Sequence, residues 1–211
     1  AGQKPRLLPR SAHGDRSAFH LMNTCLRLLV PYAAVLVFWY GFTNAWLTVA
    51  AYHLLIVLFA RGRIALPNPP AEWRHLAWAV PAVLAGPLLY MIMPYLAPDN
   101  LTEWLAARRM SPTSIIFLLP YFAIVHPWLE QTHWSPLRER TALAHPIFAG
   151  YHVLVLTSLT TWPWLIFVFC MLMLVSYLWG VLTRQSKSLT PAYVSHALAD
   201  FGIVIAAWIR T

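Results

Sequence analysis

Two acidic residues of this chain, Glu130 and Asp200, fall within strongly apolar stretches of its sequence. A charged side chain at the centre of a bilayer costs at least ~2.5 kcal/mol on insertion scales, so acids in such positions usually serve a function. His196 and Asp200 are spaced i, i+4 and share one helix face, where the carboxylate can accept a hydrogen bond from a ring nitrogen. With Glu130 and His152 they form a set able to activate water and stabilise an oxyanion.

The elements that must position these residues are membrane-spanning helices. The chain is 59% hydrophobic and only 10% charged, far below the roughly 25% charged residues of soluble proteins. Seven apolar stretches approach the length of about 20 residues that a crossing needs, at about 27–43, 45–60, 76–97, 113–130, 146–160, 162–183 and 191–209. We predict an all-α polytopic transmembrane bundle of about seven spans over residues 20–211, with its site formed by residues 126–205, after a basic cytoplasmic tail at residues 1–19.

The basic residues predict how this bundle is oriented. With the amino terminus in the cytoplasm, only Arg108, Arg109 and Arg210 lie outside, and the other 12 of the 15 basic residues lie inside. This distribution follows the positive-inside rule. We expect a bacterial-type inner membrane, and a eukaryotic endoplasmic-reticulum membrane would give the same distribution. The formal charge of +8 does not indicate nucleic acid, because the basic residues are scattered singly or in pairs. The lipid bilayer is the expected surrounding.

In this topology the polar residues lie near the cytoplasmic face. Glu130 ends the fourth span, and Ser135-Pro136 is the latest point that its helix is expected to reach. His152 lies about two turns into the fifth span and His196 about one and a half turns into the seventh. At ~1.5 Å of rise per residue, both histidines are expected ~9 Å beneath the cytoplasmic boundary.

Three short motifs carry a resemblance to a known family. Glu130-Gln131, then Phe148-Ala149-Gly150-Tyr151-His152, then His196-Ala197-Leu198-Ala199-Asp200 resemble the EExxxR, FxxxH and HxxxN or HxxxD motifs of the CAAX protease and bacteriocin-processing family of intramembrane endopeptidases. The resemblance covers roughly residues 113–205. The first motif departs from the family pattern, since Gln131 replaces the second glutamate and Ser135 replaces the arginine.

The resemblance implies an enzyme that hydrolyses a peptide bond of a membrane-associated substrate in a cavity open to the cytoplasm. Glu130 would activate water, and His152, His196 and Asp200 would assist. Phe148, Gln131 and His133 would support them, His133 as a substitute member of the first motif. Zinc or another divalent metal could bind Glu130, His152 and His196. The H-E-x-x-H spacing of zinc proteases is absent, so we expect no cofactor.

Alternative functions remain open at this level. The departures at Gln131 and Ser135 also fit an inactive relative that acts as a binding or assembly subunit of a larger membrane complex. A porphyrin or metal could instead be held by His53, His126 or His133, although His126 is expected to face a different side of its helix from Glu130. Glu130 itself could be an interfacial carboxylate that reaches water.

Overall fold

The computed structural model describes residues 12–60, 68–97 and 101–211, with side chains from residue 21 onward. Every regular element in these ranges is helical, which confirms the predicted all-α class. The α-helices are α1 Ala12–Ala34, α2 Ala45–Ala60, α3 Ala85–Leu96, α4 Leu101–Ala106, α5 Pro112–Pro120, α6 His126–Arg140, α7 Ala144–Leu156, α8 Trp162–Ser186 and α9 Thr190–Ile209. A π-helical turn, Val35–Gly41, extends α1, and another, Tyr121–Val125, joins α5 to α6. A 3-10 segment, Trp73–Leu84, leads into α3.

Five helical stretches are long and apolar enough to cross a membrane: Leu21–Gly41, Trp73–Leu96, Pro112–Arg140, Trp162–Ser186 and Thr190–Ile209. The apolar helices α2 and α7 have 16 and 13 residues. They are therefore ~24 and ~20 Å long, which is less than the ~30 Å of a bilayer core. The long stretches make the chain an integral membrane protein.

The outer surface of the bundle is apolar, as lipid contact requires. Large hydrophobic side chains are exposed on several helices rather than buried between them, among them Phe117 (77%), Trp162 (73%) and Trp78 (68%). In water, apolar patches of this extent would promote association. In a bilayer the same side chains lie in an apolar solvent.

Hydrogen bonds between connecting segments gather at two ends of the bundle. At one end the Ser188 hydroxyl donates to the Asn68 carbonyl over 2.5 Å. At the other end the backbone N–H of Ala45 donates to Arg108, whose guanidinium bonds Ser158. Apart from the short helix α4, the seven helical stretches of the described residues run alternately between these ends. We name them the basic end (residues 68–71, 135–141 and 183–190) and the opposite end (residues 41–46, 101–111 and 157–161).

The stretch that carries Glu130 is longer than the sequence indicates. The prediction that the span ends at Glu130 and its helix by Pro136 is wrong, because α6 continues through Pro136 to Arg140. A proline inside a helix removes one backbone hydrogen bond, but packed neighbours make this tolerable in a membrane bundle. Glu130 therefore lies 10 residues before the helix end, or about 15 Å below the basic end.

Part of the predicted amino-terminal tail is helical. Helix α1 begins at Ala12, so residues 12–19 of the predicted tail are helical. Residues 1–11 of that tail lie outside the described residues.

Candidate functional site

Glu130 is completely buried and is held firmly at one carboxylate oxygen. Its side chain is 0% exposed, and its Oε1 accepts hydrogen bonds from the hydroxyls of Tyr52 and Tyr151. The Trp134 indole N–H in turn donates to the Tyr52 hydroxyl over 3.2 Å. The alternative of an interfacial carboxylate that reaches water is therefore wrong. Two hydroxyl donors fix where the second oxygen, Oε2, points.

Oε2 of Glu130 lies within 4 Å of two histidine nitrogens, and these also lie near Asp200. It has no hydrogen-bond partner among the described residues and lies 3.8 Å from Nε2 of His126 and 3.8 Å from Nε2 of His196. Oδ2 of Asp200 lies 3.7 Å and 3.3 Å from the same two nitrogens. These four residues, named here the acid–histidine cluster, present four polar atoms to one another.

His196 and Asp200 share one face, with Nε2 and Oδ2 3.3 Å apart and no hydrogen bond to Oδ2 from the described part of the chain. Gln131 determines which ring nitrogen of His196 carries the hydrogen. A guanidinium only donates, so Arg138, at 2.8 Å, fixes the oxygen side of the Gln131 amide. The amide nitrogen then donates to Nδ1 of His196 over 3.1 Å. This assigns the ring hydrogen of neutral His196 to Nε2, which faces Asp200. Trp179 stacks on the imidazole with centroids 4.3 Å apart.

His126 joins the cluster, although the sequence interpretation placed it on another side of the helix. That expectation is wrong, because His126 and Glu130 are spaced i, i+4 and share one face. Nδ1 of His53 donates to the Val49 carbonyl over 2.8 Å, and Nε2 of His53 lies 2.9 Å from Nδ1 of His126. With both imidazoles neutral, His126 donates from Nδ1. Its Nε2 lone pair then faces the two carboxylates.

His152 approaches Glu130 through a tyrosine. Its Nδ1 donates to the Phe148 carbonyl over 2.8 Å, and its Nε2 lies 3.1 Å from the Tyr151 hydroxyl. Tyr151 therefore stands between His152 and the carboxylate. Phe148 is 1% exposed and packs its ring against the imidazole at 4.6 Å. Both positions of this second motif thus pack against Tyr151, which itself donates to Glu130.

His133 points elsewhere, despite its place three residues after Glu130. It is 0% exposed, and its Nε2 lies 3.1 Å from the backbone carbonyl of Arg27. The Arg27 guanidinium donates back to the His133 carbonyl over 3.1 Å. These reciprocal bonds tie α6 to α1. The structure therefore gives His133 a packing position rather than a place in the cluster.

An apolar cavity of about 290 Å³ reaches the site from the opposite end. Its wall is mostly apolar and carries polar groups at Thr48, at the tryptophan indoles and where it meets the tyrosines and histidines just described. Its lining includes Val35, Trp39, Trp46, Tyr52, His53, Trp104, Phe122, His126, Tyr151 and His152. A ligand segment in this cavity would have to be mostly apolar.

The metal ligands considered from the sequence differ from the ligand atoms that lie close together in the structure. His126, His196 and Asp200 each offer one ligand atom within 4.8 Å of the others. Tyr151 separates His152 from Glu130, so the set of Glu130, His152 and His196 is not brought together. A porphyrin ligand at His53 is disfavoured, since both of its ring nitrogens are engaged.

The site contains two further residues that the sequence did not indicate, Tyr52 and Tyr151. Tyr151 sits inside the second motif, next to His152, so its position was visible although its role was not. Tyr52 lies 78 positions from Glu130, and nothing in the sequence connects them.

No protein-family model, curated protein sequence or solved structure matches the chain. The resemblance to the CAAX protease and bacteriocin-processing family therefore rests on the three motifs alone.

Proposed function

We propose that the protein is an intramembrane endopeptidase in which Glu130 acts as general base. The observation that carries the proposal is the asymmetry of this buried carboxylate. Oε1 is fixed by the hydroxyls of Tyr52 and Tyr151, whereas Oε2 has no hydrogen-bond partner among the described residues and faces two imidazoles. A base with one free oxygen in a water-poor site is suited to taking a proton from a bound water.

The chemistry needs only groups that the acid–histidine cluster supplies. Glu130 takes one proton from water while the water oxygen bonds to the substrate carbonyl carbon. The N–H at Nε2 of His196 stabilises the oxyanion that forms. The C–N bond then breaks, and Glu130 returns its proton to the leaving amine nitrogen. The new carboxylic acid releases the remaining proton.

One neighbouring histidine would help to hold the water. The Nε2 lone pair of His126 accepts a hydrogen from it, whereas Nε2 of His152 contacts Tyr151, which orients Glu130. The spacings of 3.7–3.8 Å from His126 to the carboxylates are longer than direct hydrogen bonds, and polar groups at such spacings are commonly bridged by water.

The substrate is a membrane-associated peptide with an apolar segment, which the cavity of about 290 Å³ would accept. The setting is a bacterial-type inner membrane, and the reaction needs no cofactor.

The rival proposal of an inactive assembly subunit rested on Gln131 and Ser135. Arg138 bonds Gln131 and so supplies an arginine beside this position from one turn farther along the helix than Ser135. Despite the departure from the family motif, hydrogen bonds still join Arg138, Gln131 and His196. This favours the enzyme over the assembly subunit.

The test compares membrane proteomes of cells carrying the wild type, Glu130→Gln and Glu139→Gln, scoring new peptide ends. Glu139 is exposed on the same helix, so it is the matched control. Loss of a general base typically costs about 10²–10⁴-fold in rate. We expect a set of ends in the wild type and the control that is missing from Glu130→Gln. Identical ends in all three would overturn the proposal, and retained association with other chains would then favour the assembly subunit.

A further inference from the structure

A second cavity lies at the basic end, apart from the acid–histidine cluster. Its volume is about 540 Å³, nearly twice that of the apolar cavity. We name it the basic cavity. Its lining combines four cationic side chains with one acid and several hydroxyls, namely Arg27, Arg140, Arg184, Lys187, Glu139, Thr132, Ser135, Thr183 and Ser188.

Among the described residues that line this cavity, the cations outnumber the acids. Four cations against the single carboxylate of Glu139 leave a formal excess of three positive charges. Arg140, Arg184 and Lys187 have no acidic group within 4 Å in the part of the chain that the structure describes. An anionic ligand would gain from several cations at once.

Two residues in the same wall carry an unpaired hydroxyl. The Oγ1 atoms of Thr132 and Thr183 are buried and have no hydrogen-bond partner among the described residues. Most buried polar groups in proteins are hydrogen-bonded, so such atoms require an explanation. Hydroxyl donors beside arginine and lysine form the donor set that binds phosphate oxygens.

Lys187 is held at this wall in an unusual conformation. It ends α8 with φ of 52°, a left-handed position where glycine is the usual residue. A lysine there carries a conformational cost that a glycine would avoid. The positive charge that this side chain brings to the cavity is a physical reason for a lysine at position 187.

We propose that the basic cavity binds the phosphate group of an anionic phospholipid headgroup. The cavity lies where helix ends meet the boundary of an integral membrane protein, which is the level of lipid phosphates. Ala60, Pro136 and Leu189 add apolar wall against which the start of an acyl chain can pack. Basic pockets between transmembrane helices commonly hold such headgroups. This inference does not depend on the peptidase activity.

The test measures binding of fluorescent phosphatidylglycerol and phosphatidylcholine to the purified full chain in detergent. The cavity variant is Arg184→Gln with Lys187→Gln, and both side chains are exposed, so the fold tolerates their loss. The control is Arg74→Gln, a cation close to the same end that is ion-paired with Glu72 outside the cavity. We expect phosphatidylglycerol to bind at least about tenfold more weakly to the cavity variant, given the contribution of each cation, and within twofold of wild type to the control.

Competition with inorganic phosphate shows whether the cavity binds a phospholipid headgroup or free phosphate. If millimolar phosphate leaves lipid binding unchanged, the cavity recognises the headgroup together with its acyl chain, as proposed. Complete displacement by phosphate would identify a site for free phosphate and overturn the lipid assignment. Equal binding of both lipids, or equal weakening in the cavity variant and the control, would overturn the site itself.

Discussion

At the scale of single residues, the two oxygens of Glu130 have different surroundings. Two tyrosine hydroxyls donate to Oε1, whereas Oε2 faces imidazoles at 3.8 Å. A carboxylate that accepts hydrogen bonds at one oxygen keeps a fixed orientation. The tyrosines therefore act as positioning residues for the proposed base.

Removal of either hydroxyl should reduce turnover, and Tyr151→Phe should reduce it more than Tyr52→Phe. Each variant loses one donor to Glu130, and a lost hydrogen bond to a charged group is worth about 1.5–3 kcal/mol, or roughly 10–150-fold in rate. Only Tyr151 also contacts His152, at 3.1 Å. The measurement is peptide cleavage in reconstituted membranes, with Tyr95→Phe, a 71% exposed site, as control. Full activity of both variants would contradict the assigned role.

A second residue-scale prediction concerns metal. The amide nitrogen of Gln131 donates to Nδ1 of His196, so the wild type presents an N–H rather than a lone pair to the cluster. We therefore expect wild-type cleavage to be unchanged by EDTA. In Gln131→Glu, a carboxylate can accept from both Arg138 and Nδ1 of His196, which frees the Nε2 lone pair.

His126, His196 and Asp200, whose ligand atoms lie within 4.8 Å of one another, could then bind zinc. We expect the Gln131→Glu variant to retain about one zinc ion per chain after purification, measured by elemental analysis. Zinc in the wild type together with inhibition by EDTA would show that the hydrogen assignment is wrong.

The sequence predicted the cluster only in part, for reasons visible in particular residues. His196 and Asp200 share a helix, so their spacing was sufficient to pair them. His126 was missed although the same spacing relates it to Glu130. Tyr52 could not be found, because its contact with Glu130 joins two helices whose relative rotation depends on tertiary packing.

At the scale of helices, one close crossing positions Asp200. A Cβ added to Gly86 would lie 2.6 Å from the backbone of Gly202, so α3 and α9 meet backbone to backbone. Small residues permit such approaches between membrane helices. Gly202 is two residues from Asp200, so this contact fixes the acid's depth and direction.

Alanine at either glycine of this crossing should push the helices apart. Overpacking of this kind costs about 1–3 kcal/mol, and we expect Gly86→Ala to lower the thermal unfolding temperature in detergent and to reduce cleavage. Gly41→Ala is the matched control, since its nearest neighbour would be 3.6 Å away. If Gly86→Ala unfolds at the control's temperature, the crossing is looser than described.

Hydropathy located the helical stretches better than their ends. Each of the seven predicted apolar stretches corresponds to a helical stretch of the structure. The largest errors are the start of α1 at Ala12, 15 residues before the predicted stretch, and the end of α6, which extends 10 residues beyond Glu130. Pro136 was treated as a helix limit, but contacts with neighbouring helices hold the chain helical through it. Local sequence signals cannot report such contacts.

At the scale of the whole molecule, the two ends of the bundle differ in charge. The basic cavity and its cations lie at one end, whereas Arg108 and Arg109 lie at the other with Ser158 and Ala45. A bundle with this asymmetry should insert with its basic end in the cytoplasm. Of the two helices shorter than the bilayer core, α7 is the shorter, because its 13 residues span only ~20 Å.

We predict that α7 crosses the membrane, because thinning of the bilayer and the turn that follows it can make up the missing length. The free, exposed cysteines Cys25 and Cys170 would first be replaced by serine. Single cysteines at Ala142 and Thr161, exposed residues before and after α7, would then be labelled in intact cells with an impermeant maleimide. We expect labelling at position 161 and none at 142 until the cells are opened. Labelling of both or neither in intact cells would place both ends of α7 on one side, leaving it re-entrant and reversing every later helix.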